Sequence, residues 1–128
     1  MGKILIVMDD INYRGGAHFA TFNVANYLVG RGLEVDIFSP VVASDETKQY
    51  LSKDISFVKK LEYSDYQYVI VPFENSKYRE EISHVQNIIK IQWIHIDFDR
   101  WKDIVGVDLE NEKKIFSKYD RLIFVSQH

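Results

Sequence analysis

The run KILIVMDDINYRGGAHFATFNVANYLVGRG at residues 3–32 limits this chain to a small set of folds. Ile4, Leu5, Ile6 and Val7 form a continuous β-rich stretch, which suits a strand covered on both faces and therefore central in a sheet. Asp9, Asp10 and Asn12 mark a loop, and Gly15-Gly16 permit backbone angles or close approaches that a side chain would block. A helix is predicted from near Ala17. Phe19, Phe22, Val24, Ala25, Leu28 and Val29 give it one apolar stripe that can lie on a sheet, and Gly30 and Gly32 stop it. A helix that begins directly after a glycine turn presents N–H groups without partners, so it can receive a phosphate or another anion. Such a turn also serves α/β proteins in a purely structural role. The Gly-Gly pair lacks the G-x-G-x-x-G spacing of dinucleotide sites, which argues against NAD.

Apolar runs and helical stripes then alternate along the chain. Glu34 to Ser39 reads as a second strand ended by Pro40, which completes a right-handed βαβ unit. A short helix is expected around Thr47 to Leu51 and a short strand over Ile55 to Val58. Tyr68 to Val71 is another buried strand, stopped by Pro72; Lys77 to Ile89 reads as a helix with Ile82, Val85, Ile88 and Ile89 inward. Lys90 to Ile96 forms a strand, Asp108 to Lys118 a helix with Leu109, Ile115 and Phe116 on one side, and Arg121 to Val125 a last strand. This alternation predicts an α/β, Rossmann-like three-layer sandwich with a mainly parallel sheet, built as a single domain over residues 1–128. The last strand lacks a following helix to cover it, which suggests a fragment or a domain that works with a partner.

Composition excludes several classes. With 46% hydrophobic and 27% charged residues the chain is a soluble globular type, not a disordered one. The net charge is −3 and lysines are interspersed with acids, so no basic stripe points to nucleic acid. There is no cysteine, hence no disulfide and no thiolate metal site. No signal peptide and no membrane-length apolar segment is evident, which leads to a cytoplasmic expectation.

In open parallel sheets ligands bind beyond the carboxyl ends of the strands. The polar residues there are Asp9, Asp10, Asn12, Arg14, Glu74, Asn75, His95, Asp97, Asp99 and Ser126. His95, in Trp93-Ile94-His95-Ile96-Asp97, places an imidazole at a strand end, where it can carry a proton or bond a substrate hydroxyl; a packed histidine bonded to backbone is the competing reading. Asp97 and Asp99 point the same way in an extended chain and have the spacing to share Mg²⁺ or Mn²⁺, or else form a solvated turn with Arg100 or Lys102. His18 stands at the helix start, facing either ligand or solvent. No Ser-His-Asp order, H-E-x-x-H or P-loop supports hydrolase chemistry. Asp9-Asp10 looks like the acidic pair of receiver domains, but Val71-Pro72-Phe73-Glu74 and Trp93-Ile94-His95-Ile96 lack the phosphoacceptor Asp and the Lys that those domains need.

The order of these motifs resembles the N-terminal domain of a GT-B glycosyltransferase of the family 4 (glycosyl transferases group 1) type. The resemblance rests on KILIVMDD with Arg14-Gly15-Gly16-Ala17, on Ala25-Asn26-Tyr27-Leu28 leading to Arg31-Gly32-Leu33-Glu34-Val35, on Trp93-Ile94-His95, and on Tyr119 to Ser126. It covers nearly the whole chain. It implies that Gly15, Gly16 and Ala17 approach the donor diphosphate and that His95 lies near the donor sugar and acceptor as the catalytic residue. Asp10, Asn12, Arg14 and Asp97 are then further substrate-binding candidates. It also implies retained anomeric configuration, a nucleotide-sugar donor, and neither a metal nor a cofactor, which weakens the metal reading of Asp97 and Asp99. The E-x7-E pattern of the donor-binding C-terminal domain is absent, so the isolated chain is expected to be inactive. Relatives that act on lipid-linked acceptors make a peripheral position at the inner membrane face conceivable, although no amphipathic basic helix is evident. The competing expectation is a binding module, a natural half-protein docking on a separate donor-binding subunit through an apolar surface around Trp93, Phe98 and Trp101.

Overall fold

A computed structural model describes residues 2–13, 15–95 and 109–124. The chain starts with β1 (Lys3–Val7), α1 (Gly16–Gly30), β2 (Glu34–Phe38), a single-turn α2 (Asp45–Lys48) and β3 (Ser56–Val58). It continues with β4 (Tyr68–Val71), α3 (Arg79–Ser83), β5 (Ile89–Ile94), α4 (Leu109–Phe116) and β6 (Arg121–Phe124). The six strands form one sheet in the order β3-β2-β1-β4-β5-β6, every pair parallel. The protein is thus a doubly wound, Rossmann-like α/β sandwich, as its alternating pattern predicts.

Strand alternation separates the two cores. On β1, Ile4 and Ile6 face the side covered by Phe22 and Ala25 of α1, together with Val35, Ile37 and Ile70. Leu5 and Val7 face the other side, against Val69, Val71, Ile82 of α3, and Ile115 and Phe116 of α4. Because both faces are covered, β1 can be apolar at every position, and Leu5, Ile6 and Val7 are at most 1% exposed. The buried face of α1 is His18, Thr21, Phe22 and Ala25, at helical spacing; Phe19 sits at its margin, 37% exposed, edge-on to Tyr50. The helix ends where Gly32 takes a φ of +87°, with Leu33 N–H donating back to the Leu28 carbonyl at 3.2 Å. Ser44 caps α2 by accepting the Thr47 N–H at 3.1 Å.

Two expectations change. The helix over Lys77 to Ile89 is only Arg79–Ser83, since Asn87 takes a φ of +65° and Ile89 already pairs with Tyr68 at the start of β5. Ile82 and Ile88 enter the same core from different elements, which mimics a helical stripe. Trp93, expected on a docking surface, is 7% exposed and packs in the α1-side core. Phe98 and Trp101, its expected companions, lie outside the described residues. At the opposite edge β6 is open, with Leu122, Ile123 and Phe124 between 37% and 63% exposed. Among the described residues, no helix is long and apolar enough to cross a membrane.

The amino end of the sheet carries a polar lock. Asp36 accepts a hydrogen bond from the Tyr66 hydroxyl at 2.7 Å and pairs with the Lys3 ammonium at 3.1 Å, which also stands over the Tyr66 ring. The hydrogen bond to Asp36 raises the Lys3 pKa, while burial first, and then the Asp36 carboxylate, push the Tyr66 phenol up. Burial likewise raises Tyr63, next to Glu81, and Tyr119. All four groups hold their protons more tightly folded than unfolded, so their contribution is complete below about pH 10 and is lost as pH rises through the raised values. The urea midpoint should hold to about pH 9 and fall above about pH 10, with a smaller fall in Tyr66→Phe. A midpoint flat across that range in the wild type would contradict the lock.

Candidate functional site

The chain reverses its direction of winding between β1 and β4, the place where open parallel sheets bind ligands in a crevice beyond the carboxyl ends of the strands. At the end of β1, the Asp9 carboxylate accepts from Ser76 Oγ at 2.6 Å and from the Lys77 N–H at 3.0 Å. It therefore clamps the loop that follows β4. Asp10 is exposed; its Oδ1 accepts the Asn12 N–H at 2.9 Å, an Asx turn that bends the chain toward α1. Asn12 holds the next loop: Nδ2 donates to the Val42 carbonyl, and Oδ1 accepts from Ser44 N–H and Thr47 Oγ1, each at 2.8 Å. Both ends of its amide thus bind protein, which makes it a scaffold of the crevice wall.

Gly15 is the N-cap of α1 with φ −144° and ψ 169°, extended backbone that any residue adopts. Glycine is required here by neither dihedral; a Cβ on Gly15 would crowd the Tyr13 ring at 3.2 Å, whereas one on Gly16 would meet nothing within 4 Å. The space before Gly16 is open. His18 and Phe19 N–H groups donate to the Gly15 carbonyl at 3.1 Å, while those of Gly16 and Ala17 have no acceptor among the described residues. These two amides, at the positive end of a fifteen-residue helix, form the anion-receptive part of the crevice.

Two histidines line the route from that helix end to β5. His18 is 8% exposed and its Nε2 donates to the Asp10 carbonyl at 2.8 Å. Its ring lies 4.7 Å from that of Phe73 and 5.2 Å from that of Tyr13. Phe73 also meets His95, at 6.1 Å between centroids. His95 is half-buried just beyond β5; its Nε2 donates to the Pro72 carbonyl at 2.7 Å and its backbone N–H to Glu74 Oε1 at 3.0 Å. The carbonyl contact makes Nε2 a proton donor and fixes the ring against the loop after β4. Glu74 is 5% exposed and has no cationic partner among the described residues. Asp10, Gly15, Gly16, Ala17 and His95 thus all follow strand ends at the carboxyl edge of the sheet, with the His18 and Phe73 rings between the α1 start and His95, while Arg14, Asp97, Asp99 and Ser126 lie outside the described residues.

His18 and Phe73 were not assigned to the site from the sequence. The i, i+3, i+4 spacing of His18 with Thr21 and Phe22 was the available signal that His18 faces inward. No group of three or more ligating side chains capable of holding a metal occurs among the described residues. The fold is that of a Rossmann-like domain, with the N-terminus of α1 at its switch point. No family model and no curated protein matches this sequence.

Proposed function

We propose that this chain is the acceptor-side N-terminal half of a retaining GT-B glycosyltransferase that moves a sugar from a nucleotide-sugar donor to a glycan, lipid or other acceptor. The observation that carries the reading is the pair of amides at Gly16 and Ala17, without acceptors among the described residues, at the same carboxyl edge of the sheet as His95, which follows β5 two strands away from β1. A diphosphate accepts from such amides. Exposed Asp10 supplies a carboxylate that accepts from sugar hydroxyls, which matches a substrate that is part anion and part polyol. In this reading His95, held by Pro72 at the carboxyl edge of the sheet, lies near the donor sugar and acceptor and orients substrate. The chemistry draws on neither a metal nor a cofactor, and a second Rossmann-like domain supplies most of the contacts to the nucleotide.

The test is an amide NMR titration of the chain with inorganic pyrophosphate, followed by uridine diphosphate. Saturable shifts centred on Gly16 and Ala17 are expected. Gly16→Val, whose side chain enters open space and so leaves the fold intact, should weaken them about tenfold by blocking the approach. Shifts confined to surface lysines, or unchanged by Gly16→Val, would remove the diphosphate reading.

A further inference from the structure

A second cavity, of about 90 Å³, opens at the carboxyl ends of β2 and β3. Ile37 of β2 and Phe57 of β3 form part of its wall, Ile11 of the β1–α1 loop closes another side, and Ser39, Lys48 and Lys59 add polar groups. At about 30 Å³ for each water it holds about three, room for one small ring or a branched alkyl group but not for a nucleoside.

Its chemistry is uneven in an informative way. Phe57 is 40% and Val42 61% exposed at this site, so apolar surface is left in water. Ser39 is 7% exposed, and its Oγ accepts from Ile11 N–H at 3.3 Å and Val41 N–H at 3.2 Å. Both lone pairs are therefore used, and the hydroxyl proton has no acceptor among the described residues. An acceptor that enters the cavity, a water or a ligand oxygen, can take this proton. Neither Lys48 nor Lys59 has an acidic partner among the described residues, so the cavity carries two uncompensated positive charges.

We infer that this cavity binds a small apolar carboxylate. The ring or branched alkyl body displaces water from Val42 and Phe57, one carboxylate oxygen accepts the Ser39 proton, and the lysine ammonium groups balance the charge. A phosphate alone would leave the apolar walls uncovered, and a neutral hydrocarbon would leave the Ser39 donor unmet. This site is separate from the diphosphate crevice and stands without it.

The experiment is an amide and methyl NMR titration of the chain with sodium benzoate, with benzyl alcohol as the neutral ring of like size. Benzoate should give saturable shifts at Ser39, Val41, Val42 and Phe57, with an affinity at least tenfold above that of benzyl alcohol. Lys48→Gln with Lys59→Gln, both exposed positions, should lower benzoate affinity about tenfold and leave that of benzyl alcohol unchanged. Ser39→Ala also strips an acceptor from two backbone amides and tests folding together with binding, so the lysine pair carries the decision. Absence of saturable shifts, equal affinity for the two probes, or full benzoate affinity in the lysine variant would each overturn the inference.

Discussion

Glu112→Ala is expected to cost the fold about 3–5 kcal/mol, a large part of the stability of a domain this size. Glu112 is 5% exposed on α4, and both of its oxygens meet the Arg79 guanidinium on α3, one of them at 2.6 Å. Arg79 also lies over the Phe116 ring at 5.5 Å, and its carbonyl accepts from the Tyr119 hydroxyl at 2.7 Å. Burial pulls the Arg79 pKa below its usual value, yet a guanidinium keeps its proton, so removing the carboxylate leaves a charge in a desolvated place. α3 is five residues long and holds its place through this pair and Ile82. Urea unfolding of Glu112→Ala, alone and combined with Arg79→Met, measures it. The double variant should recover most of the loss, because two apolar side chains leave no buried charge. A single-variant cost under about 1 kcal/mol would mean that the pair behaves as an exposed one.

On the proposed transferase reading, His95→Ala in the full-length protein is expected to lower turnover by about 100-fold, the lower end of the range for losing a positioned catalytic side chain. The fold should survive. His95 is half-buried and its ring makes a hydrogen bond to the Pro72 carbonyl, whose loss costs about 1 kcal/mol. Thermal unfolding of the 128-residue chain should therefore shift by only about 3–5 °C. Turnover near that of the wild type, with the same small shift in melting, would reduce His95 to a packing residue that orders Phe73 and Pro72.

Particular residues show how much of this could be read from the chain. The apolar run of β1 and the Pro72 stop after β4 located strands that the sheet contains, because burial on both faces leaves no alternative composition. The helix over Lys77 to Ile89 failed because Ile82 and Ile88 fill one core from two elements, and a hydrophobic pattern records burial, not continuity of the backbone. The glycines stand at the turn, where sequence allowed either special backbone angles or close approach. Gly15 has ordinary extended dihedrals but a Cβ there would meet the Tyr13 ring at 3.2 Å, whereas one on Gly16 would meet nothing within 4 Å. Asn12 reads as a loop polar group available to substrate, yet its amide is engaged by Val42, Ser44 and Thr47, thirty or more positions along the chain.

The sequence by itself determined the class of fold, the centrality of β1 and the approach of His95 and the glycine turn to one end of the sheet. Strand and helix periods follow from local burial, and parallel βαβ units place every strand-to-helix turn at the carboxyl edge. Only the tertiary structure decided which of those polar residues hold the scaffold and which open to solvent. Asp9 clamps Ser76 and Lys77, Asn12 grips the loop before α2, and Ser39 is left with a proton and no acceptor among the described residues. Hydrogen-bond partners this far apart along the chain are fixed by how loops meet after the sheet has formed, and no local pattern of residues encodes that meeting.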